Sequence, residues 1–193
     1  TETYYSVRHD LITEVIELFD NPRFFHLGMD EETAHNQRNY DYVVVRQGDL
    51  WWHDLLLLTE QVEKNGVQPW IFSDYIWEHR DPFFEKMPKS VLQSNWYYGS
   101  SFGVKDKQYG QKGIDDVQAY LDLEKHRYNQ VPTGSNHSSP ENFENLVAYC
   151  KEHIPSTRLS GFLQTIWRPT LEAYREQIMR AIELAGQARA NWT

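Results

Sequence analysis

Hydrophobic positions along this 193-residue chain alternate between helical and extended spacing. Within residues 10–19 the apolar side chains recur every three or four positions, which predicts a helix that Asn21-Pro22 ends. Residues 49–64 predict a stronger helix, closed by Asn65-Gly66 as a C-terminal cap. Residues 82–87 predict a short helix or turn. Further helices are predicted at residues 113–126, from Ser139-Pro140-Glu141 onward with Pro at the first helical position, and at 170–188, the longest.

Short apolar runs typical of buried strands lie between these helices. They fall at residues 23–29, 69–76, 90–98, 130–135 and 159–167, and a further apolar run at 42–45 receives no assignment. Strands that alternate with helices at this spacing indicate parallel strands joined by crossover helices. A doubly wound sheet and a (β/α)8 TIM barrel both satisfy the pattern. The glycine-rich phosphate fingerprint of the nucleotide-binding sheet is absent, which favours the barrel.

Composition narrows the class of protein further. With 40% hydrophobic and 15% aromatic residues, the chain can bury a sizeable core as one domain, residues 1–193. The net charge of −9 and the lack of a Lys/Arg cluster argue against nucleic acid as a partner. No apolar stretch approaches the roughly 20 residues that span a bilayer, so no membrane segment is predicted. Cys150 is the only cysteine, and we expect it to be a small buried hydrophobe.

Chemistry is predicted at the end of the first strand. The apolar run Phe24 to Met29 ends abruptly in three carboxylates, Asp30, Glu31 and Glu32. A buried parallel strand that delivers acids to the rim of a sheet has this pattern. Alone, the triplet is more typical of residues that cap and charge the start of a following helix.

The same stretch resembles a known signature. His26-x-Gly28-x-Asp30-Glu31, preceded by Glu-Leu-Phe-Asp at residues 17–20, looks like strand four of the family 20 glycoside hydrolases, the β-N-acetylhexosaminidases. That family usually has a second Gly where this chain has Met29. The resemblance implies that the chain supplies about strands 4 to 8 of a TIM barrel, since a full barrel has eight strands and about 250 residues. The N-terminal half of the barrel would then be a separate chain or have been removed.

The resemblance also implies roles. In that family the Asp stabilises the substrate's own 2-acetamido group, and the Glu protonates the leaving group and later activates water. Carried over, Asp30 is the stabiliser and Glu31 the general acid/base. The substrate would be a carbohydrate and no cofactor is implied. Enzymes of this kind commonly work in the periplasm or outside the cell.

Three tryptophans fall at predicted strand ends: Trp77, Trp96 and Trp167. Aromatic faces pack against the apolar C–H faces of sugar rings, so three at one end of a barrel would wall a pocket. The resembling family lines its sugar subsite with Trp from these strands, and Trp96 and Trp167 match those positions better than Trp77. For any single Trp, core packing is an equal alternative. We expect Trp51 and Trp52, on the helix at 49–64, to pack in the core.

Other polar residues are weaker candidates for the site. Asp74 is placed to bind a sugar hydroxyl, or alternatively to cap a helix. A lone His on an apolar strand, such as His26, is more often a core residue than a substrate ligand. A metal site is not predicted, because the spacings match no ligand motif. The residues compared for it are His26, Asp30, Glu31, His35, His53 and Asp54.

The chain departs from the family after strands seven and eight. Where the family has a Tyr and an Asp, residues 132–137 read Pro-Thr-Gly-Ser-Asn-His, which leaves Asn136 or His137 as a substitute donor. Where the family has Trp-x-Glu, Trp167 is followed by Arg168, a candidate for gripping an acidic or hydroxyl-rich substrate. Two alternatives therefore stay open. One is a barrel that binds carbohydrate without cleaving it, and the other is a two-carboxylate retaining glycosidase with Asp74 or another acid as nucleophile.

Overall fold

A computed structural model of the protein describes residues 1–32, 47–104 and 109–190. Five strands alternate with helices along these segments. The strands are β1 (Phe24–His26), β2 (Gln68–Phe72), β3 (Leu92–Ser94), β4 (Thr133–Ser135) and β5 (Leu163–Thr165). The helices are α1 (Glu2–Leu18), α2 (Asp49–Lys64), α3 (Tyr75–Glu78), α4 (Arg80–Lys86), α5 (Gly110–Lys125), α6 (Asn142–His153) and α7 (Arg175–Ala190), with a 3₁₀ turn at Glu172–Tyr174.

All strand pairings are parallel and follow the order of the chain. β1 pairs with β2 and β2 with β3, while β4 pairs with β5. Single parallel bridges, Gln93 to Gln130 and Trp96 to Thr133, join the two sheets. The strand order therefore does not reverse, and the predicted α/β class with parallel strands is confirmed. Among the described residues, β1 and β5 each have one strand partner, so these two strands form the edges of the array.

The two faces of the sheet differ in burial because side chains alternate along a strand. Ile71 is fully buried against the helices, and Phe25 and Leu27 pack into the same cluster. That cluster includes Trp51 and Trp52, which confirms their packing role. The opposite face carries Phe24, His26, Trp70 and Phe72, all half-buried. A second cluster under β4 and β5 contains Tyr97, Tyr120, Phe143, Leu146 and Cys150, so Cys150 is the buried hydrophobe predicted.

Helix boundaries agree with the sequence pattern at some ends and differ at others. Helix α2 has the predicted bounds, and Gly66 takes the positive φ (74°) that its cap position favours. Helix α1 begins eight residues earlier than predicted, since Thr1 Oγ1 accepts a hydrogen bond from Tyr4 N and caps it. With 17 residues, α1 also exceeds the C-terminal helix in length.

The prediction for the start of α6 is wrong. Ser139 and Pro140 precede the helix, Glu141 is its N-cap without a side-chain cap bond, and Asn142 is its first residue. The strands are shorter than the apolar runs, and the run at 42–45 lies outside the described residues. None of the helices in the described segments is long and apolar enough to cross a membrane.

Candidate active site

A cavity of about 310 Å³ lies where the C-terminal ends of several parallel strands meet. Parallel strands place all their C-terminal ends on one edge, which is how residues far apart in sequence reach one cavity. The lining comes from the ends of β1, β2, β3, β4 and β5. It consists of Asp30, Glu31, Phe72, Trp96, Tyr98, His137 and Trp167.

The segment after β1 turns sharply to present its acids. Gly28, Met29 and Glu31 have φ values of 78°, 73° and 52°, in the left-handed region that favours glycine. Hydrogen bonds hold this turn at two points: Phe72 N donates to Gly28 O at 2.9 Å, and Trp51 Nε1 donates to Met29 O at 3.4 Å. Met29 thus adopts a backbone conformation that favours glycine, at a cost of about 1 kcal/mol. Burial of its side chain, only 5% exposed, offsets that cost.

The two acids of the signature differ in environment. Asp30 is half-buried, and this burial raises the pKa of its carboxyl, opposed by a hydrogen bond from its own backbone N–H. Glu31 is exposed and borders two cavities. An exposed carboxyl on a boundary can exchange protons with water and with a substrate atom that lies between the cavities.

Asp74 contacts the backbone of Glu31. Glu31 N donates a hydrogen bond of 2.9 Å to Asp74 Oδ2, across 43 positions of sequence. Burial raises the pKa of Asp74 to about 7; the bond from Glu31 N opposes this, and the charges of Asp30 and Glu31 add to it. Asp74 occupies the N-cap position of α3, yet its side chain makes no cap hydrogen bond.

A second cavity, of about 430 Å³, shares Glu31 and Trp96 with the first. Asp74, Trp77 and Lys112 lie on its wall. The Lys112 ammonium stacks over the Trp77 ring at 4.0 Å and reaches Asp116 Oδ1 at 2.7 Å, so its charge is neutralised within the wall. Trp77 Nε1 donates to Asn95 Oδ1 at 2.9 Å, which fixes the ring beside Trp96.

Four aromatic rings form a continuous wall along both cavities. Trp96 packs edge-on against Trp77, with centroids 4.5 Å apart, and stacks on Tyr98 at 5.1 Å. Tyr98 in turn meets Trp167 edge-on at 6.3 Å. Burial raises the pKa of Tyr98, opposed by side-chain hydrogen bonds with Thr165 and Trp167. Sequence reasoning missed Tyr98, although alternation along the strand places Trp96 and Tyr98 on one face and buried Tyr97 on the other.

Two predicted site residues take part in local structure instead. His26 Nδ1 accepts a hydrogen bond from Gly28 N at 3.0 Å, and the ring packs against Trp70 and Phe72 at 4.6 and 4.3 Å. Burial lowers the pKa of His26 to about 4, so the ring is neutral at pH 7. Asn136 contacts Gln164 and Gln177 through its amide, both at 3.2 Å.

The structure therefore sorts the predicted residues into three groups. Asp30, Glu31, Trp96 and Trp167 line the 310 Å³ cavity. Asp74 and Trp77 lie in the adjoining 430 Å³ cavity, which Glu31 and Trp96 also border. His26 and Asn136 are outside the described linings of both cavities.

Comparison with known proteins identifies the fold. No family model matches the sequence, and no curated protein matches it significantly. The structure is similar to a family 20 exo-β-N-acetylglucosaminidase from Vibrio harveyi, solved in complex with N-acetylglucosamine. The TM-score is 0.56 at 15% identity, over 94% of this chain and 30% of the Vibrio chain. A tandem family 20 catalytic module of the pneumococcal exo-β-D-N-acetylglucosaminidase StrH matches at TM-score 0.46 and 18% identity, over 93% of this chain and 47% of that one.

At these identities the likeness concerns the fold. The resemblance to family 20 predicted from the His-x-Gly-x-Asp-Glu signature is thus confirmed at that level: the chain has the arrangement of helices and parallel strands found in part of such enzymes. It spans less than half the length of each of these two chains.

Proposed function

We propose that this protein is part of a glycoside hydrolase that cleaves terminal 2-acetamido-2-deoxy-β-hexosides by a substrate-assisted retaining mechanism. One observation carries the proposal: Asp30 and Glu31 line the same cavity, and Trp96, Tyr98 and Trp167 wall it. Two acids of different burial within an aromatic pocket suit sugar binding together with acid chemistry. The family 20 fold supports the same class of reaction.

Glu31 is the proposed general acid and base. As the acetamido oxygen attacks the anomeric carbon, the glycosidic C–O bond breaks and the Glu31 proton passes to the departing oxygen. In the second step Glu31 takes a proton from water, whose oxygen attacks the anomeric carbon and reopens the cyclic intermediate. Its place on the border of two cavities supports this role, because the scissile oxygen lies between the sugar and its leaving group.

Asp30 is the proposed partner of the acetamido group. In the first step the acetamido nitrogen gains positive charge, which a neighbouring carboxylate stabilises. The half-buried position of Asp30 strengthens that interaction, since charges attract more strongly at low local dielectric. Trp96 and Trp167 then serve as the faces on which the sugar ring packs.

Asp74 is a poor candidate for the nucleophile of a two-carboxylate mechanism. Its Oδ2 accepts the bond from Glu31 N, its Oδ1 is buried, and a pKa of about 7 leaves it largely protonated in mild acid. A nucleophilic carboxylate must be ionised and accessible. These observations favour the substrate-assisted scheme over that alternative.

We also propose that residues 1–193 form the C-terminal part of one (β/α)8 barrel, with β1 to β5 as its strands 4 to 8. The unreversed parallel order supports this assignment. The half-buried aromatic face of β1 and β2 would then line the barrel interior, facing the N-terminal half. A structure of the isolated protein in which β1 pairs directly with β5 would contradict it, because these residues would then close a barrel alone.

The test of function is hydrolysis of an aryl 2-acetamido-2-deoxy-β-glycoside beside the matching plain β-glycoside. The mass of the intact sample is first measured by native mass spectrometry, which shows whether a partner fragment is present. Cleavage of the acetamido sugar alone is expected. Cleavage of the plain glycoside would favour the two-carboxylate mechanism, and sugar binding without turnover by a complete barrel would favour the non-catalytic carbohydrate-binding protein.

A further inference from the structure

We propose that Asp74 is a positioning residue for Glu31: its carboxyl group holds the Glu31 backbone in the conformation that directs the acid to the border between the two cavities. The inference rests on the proposed role of Glu31, although the contact itself is independent of any activity. It gives Asp74 a role other than sugar binding or helix capping.

The conformation of Glu31 requires external support. Its φ of 52° lies in the left-handed region, where a residue with a Cβ is disfavoured. In this turned conformation Glu31 N donates a hydrogen bond of 2.9 Å to Asp74 Oδ2. A bond to a carboxyl acceptor is stronger than one to water, so it favours the turned conformation.

Asp74 is itself fixed by the sheet. Ser73 N donates to Ser94 O at 3.1 Å, and Phe72 N donates to Gly28 O at 2.9 Å, which ties the segment to the strands on both sides. Trp77 N donates to Asp74 O at 3.0 Å and starts α3. An Asp at an N-cap usually accepts from its own helix. Here the side chain instead reaches to the end of β1, so the local preference is given up for a long-range contact.

The second oxygen of Asp74 makes the contact sensitive to pH. Asp74 Oδ1 is buried and has no hydrogen-bond partner among the described residues. Burial raises the pKa of Asp74 to about 7, so the group is neutral in mild acid and ionised in mild base. The other charged or titratable groups that line this cavity or act on Asp74 come from the turn after β1, from α3 and its end, and from α5 and the residue before it. They are Asp30, Glu31, Glu32, Tyr75, Glu78, His79, Tyr109, Lys112 and Asp116.

A carboxylate accepts a stronger hydrogen bond than the neutral acid, so the amide of residue 31 reports the titration of Asp74. We would follow the amide proton and nitrogen shifts of residue 31 by NMR from pH 5 to 9. The titration is done in the Glu31→Gln background, which removes the titration of Glu31 itself. A downfield shift of the amide proton is expected, with a midpoint at or slightly below pH 7, because this background lacks the Glu31 charge that helps raise the pKa of Asp74.

Two further variants decide the origin of that shift. Adding Asp74→Asn should abolish the transition near pH 7, because the amide does not titrate. Adding Glu78→Gln should preserve it, since Glu78 lines the same cavity whereas the amide of residue 31 donates to Asp74 Oδ2. The proposed contact would be refuted if the transition persisted after Asp74→Asn was added, or if Glu31→Gln alone showed no transition.

Activity tests the consequence of the contact. Asn at position 74 retains an oxygen that can accept from Glu31 N, whereas Ala does not. At pH 5.5, where Asp74 is neutral, Asp74→Asn should keep kcat within about threefold of the parent protein, and Asp74→Ala should lower it about tenfold or more. KM should change little in both, because a residue that acts through the Glu31 backbone affects the chemical step more than substrate binding. Between pH 6 and 8 the parent pH profile should show a step that Asp74→Asn lacks.

The failures of the two proposals are distinguishable. If Asp74→Ala matches the parent enzyme, or if Asp74→Asn is as impaired as Asp74→Ala at pH 5.5, positioning is refuted. If Glu31→Gln keeps full activity, the proposed function fails, while the NMR titration still decides the contact. Unfolding curves of both Asp74 variants, followed by Trp fluorescence, show whether a lost activity reflects lost folding, and unfolded Asp74→Asn would likewise refute a role limited to the Glu31 backbone.

Discussion

Two parts of the strand-end surface present polar groups in opposite ways. The acidic rim, residues 28–32 and 73–77, carries Asp30 and Glu31 toward the cavities while backbone bonds hold its turn. The amide rim, residues 135–139 and 165–168, uses most of its polar side chains internally. Asn136 contacts Gln164 and Gln177, and Arg168 Nε donates to Gln177 Oε1 at 3.2 Å.

The comparison distinguishes the acidic residues proposed for catalysis from the residues proposed to bind the sugar. On the acidic rim the carboxyls of Asp30, Glu31 and Asp74 face the cavities beside the ring of Trp77, and backbone bonds to the sheet hold the turn that carries the acids. On the amide rim the side chains facing the cavity are His137 and Trp167, and Trp167 is 54% exposed. A fixed group loses less conformational entropy when a substrate arrives. Substitutions on the acidic rim should therefore have the larger effects.

Glu31→Gln should produce the largest loss. The amide keeps the shape of the side chain but has no acidic proton to transfer, so kcat on the aryl acetamido glycoside should fall about 10³-fold. Glu32→Gln, one residue further along the same rim, is the matched control and should stay close to the parent enzyme. Circular dichroism should show an unchanged fold in both. Full activity of Glu31→Gln would remove the acid from its proposed role.

Asp30→Asn should come next, with a loss of about 10²-fold in kcat, because a neutral amide stabilises a developing positive charge less well than a carboxylate. The effect should be confined to the substrate that bears the acetamido group. Exogenous azide should not restore the rate, since no enzyme nucleophile has been removed. Rescue by azide would show instead that Asp30 attacks the sugar directly.

His26 allows the acidic rim to be tested without substrate. Its folded-state pKa of about 4 lies below the ordinary 6.5, so between these values the unfolded chain binds more protons. The stability that the neutral ring contributes is complete above pH 6.5 and is lost as pH falls toward 4. His26→Asn keeps an acceptor for Gly28 N but does not titrate.

From pH 7 to 4.5, urea unfolding should therefore show a loss of free energy of unfolding about 2 kcal/mol larger in the parent protein than in His26→Asn. The titration of Asp74 is common to both and cancels. His137→Asn, on the amide rim, is the control and should follow the parent curve. If the free energy of unfolding fell equally with pH in the parent protein and in His26→Asn, His26 would have the same pKa in the folded and unfolded states.

Part of the acidic rim was predictable from the sequence, because it depends on residues that are close together in the chain. One interpretation of the apolar run that ends in Asp30 and Glu31 was a strand that delivers acids to the sheet edge. In the structure both side chains line one cavity. Helix α2 was predicted to the residue, because its apolar periodicity and its Asn65-Gly66 cap agree. Tyr98 was within reach of the same reasoning, since strand alternation from Trp96 selects it over Tyr97.

Other features depend on register between distant segments. The bond from Glu31 N to Asp74 joins residues 43 apart, and it exists only because β1 and β2 pair with His26 opposite Trp70. The cap signature at Ser139 failed because Asn142 is drawn into the core, where its amide accepts from Ser135 N and donates to Tyr97 O, both at 2.8 Å. Such contacts override local propensity.

The smallest expected effect compares one tryptophan from each side of the cavity. Trp96 is packed between Trp77 and Tyr98, whereas Trp167 touches Tyr98 by an edge and is mostly exposed. A rigid, half-buried ring gives a sugar face more apolar contact, so Trp96→Ala should raise KM about tenfold and Trp167→Ala about threefold. Unfolding curves check that Trp96→Ala remains folded. Equal losses, or a larger loss at Trp167, would mean that the exposed ring closes over the bound sugar, and ring packing in the empty site would then not predict which tryptophan binds the sugar more strongly.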